Sequence, residues 1–134
     1  MQNGITEYST ALELRNLSKL PPNPRVKLSI LRDIGWEKWD PIGLLPMVGE
    51  GSKWDHPDNL HFANEYDTYL VSAASQLRRG ASVETVVKYL GDIEANYMGL
   101  GVNPTTFSRA RSVVKAIQNA SDLWTWPDES GKFG

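Results

Sequence analysis

A chain of 134 residues with 40% hydrophobic and 22% charged side chains has the size and composition of one folded domain. It contains no cysteine, which excludes disulfides, thiolate zinc sites and cysteine nucleophiles together. A net charge of −2 and a pI near 5.6 argue against a nucleic-acid binder.

The charge is unevenly spread. Residues 1–32 sum to +3, residues 33–67 to −6, residues 68–121 to +3 and residues 122–134 to −2. The acidic excess comes from Asp33, Glu37, Asp40, Glu50, Asp55, Asp58, Glu65 and Asp67, set against Lys38 and Lys53. Such a field repels nucleic acid and suits a basic protein partner or a cation. Met1 to Thr10 has no apolar leader pattern, and no run approaches the ~18 apolar residues of a membrane span. The expectation is a bacterial-type cytoplasmic protein with no membrane contact.

Residues 1–9 are polar and expected to fray. Leu12, Leu14, Leu17 and Leu20 permit a short helix that Pro21-Pro22 must end. Asn23-Pro24 has the pattern of a cap followed by proline at the first helical position. The helix expected after it carries Leu28, Ile30, Leu31 and Ile34 and stops at Gly35. Trp36 and Trp39 then belong to the core. Asp40-Pro41 repeats the cap-plus-proline pattern, with Ile42, Leu44 and Leu45 pinning the turn and Pro46 ending it. Residues 46–63, rich in Gly, Pro, Asp and Asn, predict a long surface loop of the kind that often carries function.

Beyond Asn64 the helical period is strong. Tyr66, Tyr69, Leu70, Ala73 and Leu77 make one stripe, closed by Arg78-Arg79-Gly80. Ser82 caps a helix with the stripe Val83, Val86, Val87, Leu90, Ile93 and Tyr97, and Gly99 or Gly101 stops it. Asn103-Pro104 opens the last helix, with Phe107, Ala110, Val113, Val114, Ile117 and Ala120 facing inward. Trp124, Trp126 and a polar tail follow. With no strand alternation or hairpin signal, the fold class is all-α. The expected architecture is a compact bundle of four to five helices with one long loop, in a single domain over 1–134 whose ends, 1–9 and 127–134, are expected to be flexible.

Trp39-Asp40-Pro41-Ile42-Gly43-Leu44 and Glu65-Tyr66-Asp67, spaced by a variable loop, carry a resemblance to a family of small, uncharacterised bacterial proteins. It spans residues 28 to 98, including Tyr89-Leu90 and Ile93-Glu94. That family has no assigned activity, so the resemblance implies a helical fold and no chemistry. Asn64 departs from it, standing where the family often has an acid.

Catalytic grammar is missing: there is no G-x-S-x-G elbow, no H-E-x-x-H pair and no Walker spacing around Gly49–Lys53. Arg109, Arg111 and Lys115 are expected to form a solvated face, since i and i+2 do not share one stripe. Asp40, Glu65 and Asp67 could together hold a hard cation, and His56 with His61 could bind zinc. Capping is the better account of the three acids. No cofactor is implied.

The primary expectation is a small, non-enzymatic protein-binding module. It would act as an immunity- or antitoxin-like inhibitor, masking a basic partner through Trp54, Asp55, Asp58, Glu65, Asp67, Trp124 and Trp126. The alternatives are a metal-binding protein or metal-dependent enzyme on Asp40, Glu65 and Asp67, and a homodimeric structural protein.

Overall fold

The computed structural model describes residues 24–49 and 51–127. The helix expected around Leu12–Leu20, the Asn23 cap and Glu50 lie outside them. The chain divides into two compact units, one of residues 1–25 with 126–134, the other Val26–Thr125. Among the described residues the helices all fall in the second.

Among the described residues the elements run β1 (Arg25–Val26), α1 (Leu28–Lys38), α2 (Leu44–Val48), a 3-10 helix (Pro57–Phe62) and α3 (Asp67–Arg78). Then come α4 (Val83–Asp92), a π-helical turn (Ile93–Tyr97), α5 (Thr106–Asn119) and β2 (Trp124–Thr125). β1 and β2 form a two-stranded sheet, and the Lys27 N–H donates to the Leu123 carbonyl at 2.8 Å. The fold is mostly helical. Among the described residues no helix is long and apolar enough to cross a membrane.

The core forms where the helical stripes meet. α4 packs along α5 through Val86, Val87 and Leu90 against Ala110, Val113, Val114 and Ile117. α1 lies against α5 and α3, contributing Leu31 and Ile34. Short connections make neighbours of consecutive helices: Gly80, at φ 98°, turns the chain out of α3. The Ser82 hydroxyl then caps α4 by accepting from the Thr85 N–H at 3.1 Å.

Four local expectations need correction. Pro24 does not open a helix, because a strand intervenes and α1 starts at Leu28. Gly35 does not stop α1 but lies inside it, buried, where a Cβ would drive into the Leu70 side chain. A glycine that ends a helix and one that lets another helix come close look alike in a sequence. Gly35→Ala should therefore destabilise by up to about 2.5 kcal/mol, overpacking of about 1–3 kcal/mol offset by roughly 0.5–1 of helix propensity. A urea titration in which the alanine variant gains stability would show that Leu70 can move aside.

Third, α2 starts at Leu44 after a turn through Pro41-Ile42, and Pro46 sits within its first turn, where proline is tolerated. Ile42 is exposed, and only Leu44 and Leu45 pack on the core. Fourth, Tyr97 is 74% exposed although it continues the α4 stripe. The π turn adds a residue to the ring, with the Met98 N–H bonding back to the Ile93 carbonyl at 2.8 Å. That shift rotates Tyr97 outward, while Glu94, four residues after Leu90 on the apolar side, is buried.

The 46–63 segment begins inside α2 and carries the 3-10 helix. Asn59, buried, ties the segment to itself by donating to the Ser52 hydroxyl at 2.8 Å and the Lys53 carbonyl at 2.7 Å.

Candidate functional site

Trp36 and Trp39 are buried as expected, and both rings meet Tyr66, with centroids 4.6 and 5.4 Å away. The Trp36 indole N–H reaches the Ala63 carbonyl at 3.1 Å, fastening the end of the 3-10 segment to α1. Among the described buried side chains, only the Trp39 indole N–H lacks a partner. The Tyr66 hydroxyl donates to the Asp40 carboxylate at 2.8 Å and accepts from the Ile42 N–H at 3.1 Å.

Burial first, and then the Asp40 carboxylate, push the Tyr66 hydroxyl well above its ordinary range. Because the folded value is raised, the stabilisation is whole below the unfolded tyrosine value of about 10 and declines as the pH climbs above it. Stability measured between neutral and strongly alkaline pH should fall for the wild type and fall less steeply for Tyr66→Phe. Parallel curves would place the alkaline loss elsewhere.

Beside this junction, Arg32 grips Asp67 with two bonds, Nε to Oδ1 at 3.0 Å and Nη2 to Oδ2 at 2.6 Å. The same guanidinium lies over the Trp54 ring, 5.4 Å from its centroid. The Trp54 N–H donates to Asp33 at 2.8 Å. The 51–55 segment of the loop is thereby held against α1, leaving a cleft of ≈ 630 Å³ between them. Asp33, Glu37 and Asp55 line it against one lysine, Lys53, and Trp36 and Trp54 supply aromatic wall. A second cleft of ≈ 400 Å³ adjoins it toward Asp40, Pro46 and Gly49. The two share Trp36, Glu37, Leu45 and Ser52, so they make one continuous groove.

The residues singled out by sequence are distributed as follows. Trp54 and Asp55 line the groove. Asp58 is exposed beside His56, whose ring nitrogen accepts its N–H, and His61 packs edge-on against Phe62. Glu65 is exposed, while Asp67 is occupied by Arg32. Asp40 is taken up by backbone amides and Tyr66. Among the described residues no three His, Asp or Glu side chains come together to hold a metal ion. Trp124 is half-buried with Arg78 over its ring at 5.3 Å, and Trp126, exposed, belongs to the other unit.

Two features were not anticipated. Asp33 and Glu37, four positions apart on α1, form one wall of the groove. Glu94, 1% exposed, forms a two-pronged pair with Arg109 at 2.8 and 2.6 Å and accepts from the Thr106 hydroxyl at 3.1 Å. Arg109 also donates to the Trp39 carbonyl at 3.3 Å, linking α5 to the end of α1. The expected solvated face is thus split: Arg109 is partly buried, and Arg111 pairs with Glu84 at the surface, lowering the Glu84 carboxyl below its ordinary range.

Comparisons with protein-family models, with curated proteins and with solved structures return no match to this chain.

Proposed function

We propose that this chain is a non-enzymatic partner-binding protein that masks a basic surface of another protein, in the manner of an immunity protein or antitoxin acting in the cytoplasm. The observation that carries the reading is the groove beside α1, where Asp33, Glu37 and Asp55 outnumber Lys53 between tryptophan walls. A lysine or arginine entering there exchanges water for carboxylates and an indole face, which favours both encounter and retention. Asp55 and Trp54 keep their expected part in this contact. Asp58 and Glu65 add acidic rim, and Asp67 acts through Arg32 by steadying Trp54.

The test is co-purification from the native host at low salt, with a triple variant Asp33→Asn, Glu37→Gln, Asp55→Asn beside the wild type. A basic protein should be retained by the wild type, lost by the variant, and released as salt shortens the Debye length from about 10 Å at 0.1 M to about 3 Å at 1 M. Recovery of nothing at low salt, or equal retention by the triple variant, would overturn the reading.

A further inference from the structure

We propose that the groove takes a segment of its partner that is basic at one end and apolar at the other, rather than a basic surface alone. The inference rests on the partner-binding reading and specifies the partner's chemistry.

The apolar end of the site is built on α2. Its Leu44 and Leu45 face the core, which turns the rest of this five-residue helix outward. Met47 is 74% exposed and Val48 49% exposed, and Ile42, on the turn before them, is 40% exposed. Single exposed apolar residues are ordinary on protein surfaces, but three within seven positions form a patch. Methionine suits such a patch, since its flexible thioether adapts to many apolar partners.

The patch adjoins the acidic groove through the chain itself. Pro46 and Gly49, which bracket Met47 and Val48, line the second cleft, and that cleft continues into the acidic one through Glu37 and Leu45. An occupant lying along the groove therefore meets Asp33, Glu37 and Asp55 at one end and the neighbourhood of Met47 and Val48 at the other. Charge complementarity selects lysine or arginine for the first end, and burial of the exposed side chains selects leucine-like groups for the second. A purely cationic ligand would leave the patch wet, and a second copy packed groove to groove would bring carboxylates toward carboxylates.

The experiment uses three fluorescently labelled synthetic peptides: one with lysines followed by leucines, one with every leucine replaced by glutamine, and one with every lysine replaced by glutamine. Each is titrated against the wild type, against Met47→Gln with Val48→Thr, and against Asp33→Asn with Glu37→Gln. The amide variant keeps an acceptor for the Trp54 N–H while removing both charges.

The lysine–leucine peptide should bind the wild type about tenfold or more tightly than either control, the weight of a few buried methylenes or of a desolvated charge contact. The Met47/Val48 variant should lose the preference for leucine, and the Asp33/Glu37 variant the preference for lysine. If the wild type binds the lysine–leucine and lysine–glutamine peptides equally, and the amide variant binds neither, the inference falls while the partner-binding reading stands. If the wild type binds no lysine-bearing peptide at any salt concentration, both fall. A salt-resistant dimer that becomes monomeric in the Met47/Val48 variant would overturn the inference by making a second copy the occupant.

Discussion

Arg109→Met is expected to lower stability by about 3–5 kcal/mol, the cost of removing one partner from a buried ion pair. Glu94 is 1% exposed, and Arg109 meets it with two short bonds, the Thr106 hydroxyl being the other donor among the described side chains. Methionine fills much of the volume but leaves the carboxylate in the interior with one weak donor. Glu94→Gln should cost less, because its oxygen can still accept from Thr106 or Arg109 and the partly exposed guanidinium still reaches water. The double replacement Glu94→Leu with Arg109→Met should recover much of the loss, since a well-packed apolar pair avoids desolvating either charge. Urea denaturation of the wild type, of Glu94→Leu and Arg109→Met singly, and of the double replacement, read at constant m-value, gives the cycle. A single-variant loss below about 1 kcal/mol would mean that the pair contributes little beyond a surface bridge.

Asp40→Ala is expected to cost about 1.5–5 kcal/mol, by two routes that add. The carboxylate accepts from the amides of Gly43 at 3.1 Å, Leu44 at 3.0 Å and Leu45 at 3.2 Å, and loss of such a cap costs about 0.5–2 kcal/mol. It also receives the Tyr66 hydroxyl, and a buried donor left without its acceptor costs about 1–3 kcal/mol. Asp40 itself has φ 31°, a region aspartate enters more readily than alanine, so the backbone adds to the penalty. Asp40→Asn should keep most of the stability. Asp40→Ala combined with Tyr66→Phe should cost less than the sum of the two, because the phenylalanine has no orphaned hydroxyl. Thermal melts of the four proteins decide it. Strict additivity would mean that the two side chains do not share an interaction.

The elements that the sequence made legible are those whose signals are local. Ser82 with the Val86, Val87 and Leu90 stripe, and the Ala110 to Ile117 stripe of α5, repeat every turn and announce themselves. The π turn does not, since its extra residue changes the hydrogen-bond ring without changing the pattern, and the pattern places Tyr97 inside where the structure turns it out. In retrospect Glu94 stands four residues after Leu90 and seven after Val87, on the apolar side of its helix. A carboxylate there demands a cation from another element. The acidic stretch was visible as charge but not as geometry. Asp67 finds Arg32 across 35 positions and Asp33 finds Trp54 across 21, distances over which no periodicity speaks. Asp33 and Glu37 could have been grouped by their four-residue spacing on the face away from Leu31.

The placement of Trp54 gives the molecule its own optical gauge. Its indole is only half-buried, its N–H ends on a carboxylate of the groove, and a guanidinium lies over its face. Emission from such a ring responds to anything that displaces either neighbour, so groove occupancy registers without an attached dye. The four other tryptophans contribute a background, and the Trp54→Phe protein supplies the blank to subtract.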